Sequence, residues 1–136
     1  MADTCQISPK QRPRNLGLAD ILFRIKLPLP GVLSILHRVS GVLLFLMLGP
    51  LLYCFQLSVT SPADFAALKA LAAHPCSRLV IAGLFWAYLH HFCAGIRFLL
   101  LDMHIGIGLA SARASSAVVF AVSLILTLIL CWRILL

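Results

Sequence analysis

Three long apolar stretches dominate the chain, each close to the roughly 20 residues that cross a bilayer at about 1.5 Å of rise per residue. The first covers residues 32–57 and carries no charge from Val39 onward. The second covers 79–101 and is interrupted by His90, His91 and Arg97. The third covers 114–136 and stays uncharged until Arg133. The pattern predicts an all-α membrane protein with three transmembrane helices. Pro28 and Pro30-Gly31 read as the stop before the first span, and His74-Pro75 as the break before the second. Gly106, Gly108 and Ser111 mark the turn before the third. Within the 58–78 connection, Ser61-Pro62-Ala63-Asp64 has the form of an N-cap, a proline at the first helical position and an acid in the first turn. Phe65, Leu68, Leu71 and Ala72 then share a face, so a short interfacial helix is predicted there.

Composition agrees with this pattern. Of the 136 residues, 62% are hydrophobic and 11% charged, against roughly 45–50% and 25% in soluble domains. The mean hydropathy is +1.04. A chain this short leaves much of its surface exposed, and so few charges cannot wet it. The charge, 11 Lys+Arg against 4 Asp+Glu, is basic enough to raise the question of nucleic acid. Five of the cations, however, are Lys10, Arg12, Arg14, Arg24 and Lys26, all ahead of the first span. That is the distribution of cytoplasmic anchors, and a nucleic-acid partner is not expected. The reading places residues 1–31 in the cytoplasm, the 58–78 loop outside, the 102–113 loop with Arg113 in the cytoplasm, and the C-terminus outside. Residues 1–20 have no apolar core of a cleavable signal and no basic amphipathic repeat of a transit peptide, which favours a bacterial inner membrane. The five scattered cysteines form no C-x-x-C pair and read as small hydrophobes in helices.

Ionisable residues inside a span are costly and are functional candidates by default. In the first span, Ser34, His37 and Arg38 lie three and four residues apart and project from one face. A hydroxyl, an imidazole and a guanidinium together suit a quinone carbonyl, a haem propionate or a lipid phosphate. The plain alternative is an arginine snorkelling at a helix end. In the second span, His90 and His91 point about 100° apart, so they do not share one site. His91 and Gly95 are i, i+4, and a glycine beside a histidine lets a flat macrocycle approach the backbone. The alternative for either histidine is an interhelical hydrogen bond. Arg97 is placed to meet an acidic group, and Asp102 to cap, to pair with Arg97 or to line a proton route. His74 and His104 read as solvated loop residues. No nucleotide-binding glycine loop, H-E-x-x-H or Ser/His/Asp arrangement occurs, so no self-contained catalytic set is expected.

In order, these segments resemble the cytochrome b membrane-anchor subunits of succinate dehydrogenase (succinate:quinone reductase). Arg12-Pro13-Arg14-Asn15-Leu16 is similar to the family's R-P-x-N-L. Ser34-Ile35-Leu36-His37-Arg38-Val39-Ser40-Gly41 is similar to S-I-x-H-R-x-[ST]-G. His91-x-x-x-Gly95-Ile96-Arg97 with Asp102 is similar to H-x-x-x-G-I-R-H-x-x-x-D. The resemblance implies a heteromeric helical bundle. Its partners would be a flavoprotein subunit, an iron–sulfur subunit and a second small membrane anchor. It further implies that Ser34 and Arg38 help form the ubiquinone site, that His37 and Arg38 lie at a haem propionate, and that His91 is this chain's axial ligand to a haem b shared with the partner anchor. One departure stands out: Phe98 occupies the place where relatives often carry histidine. A fumarate reductase anchor is the same architecture run in reverse, and a haem-free transporter or assembly protein is the rival of another class.

A six-coordinate b haem takes two axial ligands on opposite faces. His37 lies about five residues inside its span and His91 about ten from the cytoplasmic end of the second. At about 1.5 Å per residue this predicts a depth difference of about 7 Å, too large for a shared axis unless the helices slide or tilt.

Overall fold

The first proline pair opens a helix instead of stopping one. In the computed structural model, which describes residues 27–135, helix α1 runs Leu29–Thr60 with Pro28 in extended conformation at its N-cap and Pro30 in its first turn. A missing N–H costs nothing there, because the first-turn donors have no partner within the helix. Pro28 O then accepts from Gly31 N–H at 2.8 Å and Val32 N–H at 3.2 Å. Lys10, Arg12, Arg14, Arg24, Lys26 and the Arg12–Leu16 segment lie outside the described residues.

Helix α2, Pro62–Ala73, begins at the cap read in the sequence: Ser61 Oγ accepts from Asp64 N–H at 3.1 Å. It also donates to the Asp64 carboxylate at 2.7 Å. Helix α3, Pro75–Asp102, starts four residues before the apolar stretch, with Pro75 in its first turn and His74 Nδ1 accepting from Cys76 N–H at 3.3 Å. Helix α4 spans Leu109–Leu135. The helices outrun the apolar stretches because capping groups and prolines, not hydropathy, decide where a helix starts. At about 1.5 Å per residue, the 32 residues of α1 exceed a hydrocarbon core of about 30 Å. Helices α1, α3 and α4 are long and apolar enough to cross a membrane.

Helix α3 is the middle of the bundle and packs against both α1 and α4. Its buried residues Ala87, His90, Ala94 and Arg97 recur every three or four positions, one helical stripe. The buried residues of α4, Ser116, Val119, Ser123 and Thr127, form the matching stripe. Lipid tails are as apolar as leucine, so spans associate by close packing of small side chains and by polar contacts. The serine and threonine hydroxyls are satisfied within α4: Ser116 donates to Ala112 O at 2.7 Å and Thr127 to Ser123 O at 2.7 Å. Large apolar groups turn outward; Phe45 is 76% and Trp132 72% exposed.

The turn from α3 to α4 is built by a residue that reads as solvated loop. His104 has φ +62°. His104 N–H donates to Leu101 O at 2.9 Å and Ile105 N–H to Leu100 O at 3.0 Å, the pairing that closes a helix through one left-handed residue, usually glycine. Gly106 follows with φ +77°. A left-handed conformation costs a non-glycine residue about 1–2 kcal/mol. His104→Gly is therefore expected to stabilise the protein by about 1 kcal/mol, read as a raised thermal midpoint in detergent; an unchanged or lowered midpoint contradicts this account of the turn.

Candidate functional site

Because neighbouring residues on a helix diverge by about 100°, His90 and His91 serve different neighbours. His90 joins the stripe toward α4. His91 and Phe98 face α1, where His37, Ser40 and Gly41 meet them. His37, Ser40 and Gly41 are i, i+3 and i+4, so one face of α1 presents all three.

The His91 ring lies in a close-fitting setting. Its Nδ1 is 3.0 Å from the backbone carbonyl oxygen of His37 and 3.3 Å from Ser40 Oγ. A carbonyl only accepts, so Nδ1 carries the proton and the lone pair sits on Nε2. Ser40, 3% exposed, donates its hydroxyl to the same His37 carbonyl at 2.9 Å and offers a lone pair to the imidazole. Gly41 admits the ring edge: a Cβ there would sit 2.8 Å from His91 Cε1 and 3.3 Å from Nδ1. The other boundary is the His37 ring, stacked on His91 with centroids 4.2 Å apart and planes 12° apart. His37 in turn contacts Phe98 at 5.1 Å between centroids, and its Nε2 would lie 3.8 Å from a Cβ on Gly95. The space over Gly95 thus belongs partly to His37.

This stacking corrects the predicted difference in depth. The rings of His37 and His91 are face to face, not about 7 Å apart along the membrane normal. His37 lies eight residues after the start of α1 and His91 eleven before the end of α3, which reduces the offset to about 4.5 Å. Helix tilt absorbs such a remainder. The apolar stretches were a poor ruler because they begin and end inside the helices.

Among the described residues, the only enclosed side-chain polar atoms without a partner are the two ring nitrogens of His90. His90 is fully buried, between Trp86 at 5.1 Å and Phe120 at 5.2 Å, so the interhelical hydrogen bond considered for it is not formed there. His91 Nε2 has no partner among the described residues and is not sealed in. Arg97, 6% exposed, meets no acid among the described residues. Its Nε donates to Ser115 Oγ at 3.0 Å and its Nη2 to Ala112 O at 3.3 Å, tying α3 to the first turns of α4. Those partners, rather than Asp102, satisfy it. Ser34 is partly buried and Arg38 exposed; they lie one turn apart on α1, and neither makes a side-chain hydrogen bond among the described residues.

Ser40 and Gly41 belong to the Ser34–Gly41 segment, yet sequence reasoning gave them no role. Their i+3 and i+4 spacing from His37 was the available signal. Among the described residues, no group of three or more His, Cys, Asp or Glu side chains could hold a bare metal ion. One imidazole with a free Nε2 lone pair, its Nδ1–H fixed by a carbonyl, instead fits a metal that brings other ligands with it. In protein metal sites a ligating histidine nearly always donates its second N–H in this way.

Residues 8–130 match the family of succinate dehydrogenase/fumarate reductase transmembrane subunits. The chain belongs to that family. Over 116 residues it is 34% identical to the succinate dehydrogenase cytochrome b556 subunit of Coxiella burnetii, covering 85% of this chain and 90% of that one. The subunit of the same name from Paracoccus denitrificans is 29% identical over 85% of this chain and 88% of its own. That of Rickettsia felis is 30% identical over 77% and 82%. With its three apolar helices, this member of the transmembrane-subunit family is a multi-pass membrane protein.

Proposed function

We propose that this chain is the cytochrome b anchor of a bacterial succinate dehydrogenase, holding haem b through His91 and contributing Ser34 and Arg38 to the site where ubiquinone is reduced. The observation that carries the reading is the 3.0 Å contact of His91 Nδ1 with the His37 carbonyl on α1, which leaves Nε2 free, in a member of a family with relatives named cytochrome b556 subunits. Those relatives are named succinate dehydrogenases, which favours succinate oxidation over the reverse direction. The soluble partners would be a flavoprotein and an iron–sulfur subunit, and a second small anchor would share in holding the haem. When bound, haem b supplies a one-electron carrier within the membrane.

The chain's own residues do the binding and orienting. His91 offers Nε2 as an axial ligand. His37, stacked beside it, and Arg38, one residue on, are suited to a propionate at the ring edge. Ser34 and Arg38 offer a hydroxyl donor and a fixed cation to a quinone carbonyl, polarising it as charge develops. Ser34, His37 and Arg38 stand near the beginning of α1, which the positive-inside distribution assigns to the cytoplasm, where a soluble electron donor docks. Residues 1–31 and the 102–113 loop then face the cytoplasm, and the C-terminus the periplasm.

Three measurements test this. His91→Leu is expected to abolish or grossly alter the b-type spectrum of the purified complex, whereas His90→Leu, on the α4 side, leaves it bis-histidine; the reverse result moves the ligand by one residue. Ser34→Ala or Arg38→Leu is expected to lower quinone reduction about 10–100-fold, the loss of one hydrogen bond to a charged group. Succinate oxidation by an artificial soluble acceptor survives; unchanged quinone kinetics removes both residues from the site. A reporter active only in the cytoplasm, fused after Leu136, is expected to stay silent, and a strong signal reverses the topology.

A further inference from the structure

We infer that Ser40, Gly41 and the carbonyl of His37 form a cradle on α1 that selects the tautomer of His91 and holds its ring where Nε2 can take a metal. This rests on the reading of His91 as a haem ligand and adds what makes it one: a positioning element on another helix.

Three contacts act on separate atoms of one ring. The His37 carbonyl, an acceptor only, requires a proton on Nδ1. The two tautomers of a free neutral imidazole are of similar energy, so without that acceptor a share of the side chain would carry its proton on Nε2, where iron must bind. Ser40 supports the same choice twice. Its oxygen is a second acceptor for Nδ1–H at 3.3 Å, and its own proton goes to the His37 carbonyl at 2.9 Å, leaving that oxygen facing the ring. Buried at 3% exposure, Ser40 is shielded from competing donors.

Gly41 sets the position. A methyl at 2.8 Å from Cε1 is closer than carbon atoms tolerate, so the ring would have to shift. It cannot retreat freely, because the His37 ring is stacked on it at 4.2 Å. Displacement would lengthen the Nδ1–H bonds and re-aim Nε2 together. Partners of this kind around a metal ligand are worth about 10–100-fold in affinity.

The test uses the complete complex, isolated from membranes, with succinate oxidation by an artificial soluble acceptor as the check on assembly. Gly41→Ala is expected to lower haem affinity about 10–100-fold and to convert part of the low-spin spectrum to high-spin, with subunit stoichiometry intact. Ser40→Ala is expected to retain haem but to shift its midpoint potential beyond the scatter of repeat titrations. Ser40→Thr, which keeps the hydroxyl, returns it to the wild-type value. Gly41→Ala with unaltered haem content, spin state and potential overturns the cradle. Should Gly41→Ala fail to assemble, the serine pair decides, and an unmoved potential in Ser40→Ala overturns it. His91→Leu separates the two levels: if it leaves low-spin haem intact, the ligand reading falls and the cradle with it. If it removes haem while the α1 variants change nothing, the cradle alone falls.

Discussion

The bundle is organised around one hydrogen bond that crosses between spans, from the imidazole of His91 on α3 to a backbone carbonyl of α1. In water such a bond contributes about 1 kcal/mol net. Within a membrane its alternative is a polar group facing hydrocarbon, which costs more. Making it requires the two backbones to come close, and closeness requires a residue without a side chain at Gly41. The bond thus fixes the spacing of α1 and α3, the rotation of α3 about its axis, and the face on which His91 Nε2 emerges.

Once α3 is rotated to satisfy His91, the rest of its circumference is committed. The stripe from Ala87 through Arg97 meets α4, where small buried residues, Ala87 and Ala94 on α3 and Ser116 and Ser123 on α4, suit close approach. His90 and Arg97 fall on that stripe and fare differently. Arg97 finds two acceptors, the Ser115 hydroxyl and the Ala112 carbonyl oxygen, in the first turns of α4, within reach of its long side chain. His90 lies a little under two turns deeper, where neighbouring α4 backbone groups are paired, and ends between aromatic rings. An arginine near the bundle end can be satisfied by the protein; a histidine deeper inside is not, among the described residues.

Hydropathy alone carried the architecture: three long apolar stretches admit little else, and the cap at Ser61 was visible as a four-residue pattern. Boundaries were less legible. His74-Pro75 is the break it reads as, between helices ending at Ala73 and starting at Pro75, whereas Pro30 reads as a stop yet occupies the first turn of α1, where its missing N–H costs nothing. The histidine depths went wrong for the same reason, being measured from the ends of apolar stretches that lie inside the helices. His104 is the exposed loop residue it reads as, but its left-handed backbone was not legible, because that is a property of the turn and glycine is its usual sign. At the site, the chemistry-bearing residues Ser34, His37, Arg38 and His91 stood out by being polar in an apolar context. Ser40 and Gly41 did not, because serine and glycine are common in packed membrane helices. Only the position of a ring from another helix distinguishes these two from any other small pair.

The polar side chains of the spans are not spread evenly along the bundle. Helices α1 and α3 run antiparallel, so Ser34 and Arg38 near the beginning of α1 lie toward the same end as Arg97 and Asp102 near the end of α3. The opposite end, where α1 passes Pro50 and Cys54 and α3 begins, has an apolar groove lined by Met47, Leu51, Leu68 and Val80. Along α1, Ser34, His37 and Arg38 therefore lie near one surface, with the His37–His91 pair at the inner limit of that group. An electron acceptor that exchanges protons needs water within reach, whereas the carrier beside it is better shielded. If Ser34 and Arg38 hold a quinone and His91 a haem, as proposed, the order of residues along α1, with the Ser40–Gly41 contact to His91 further in, would provide that gradient within about two helical turns.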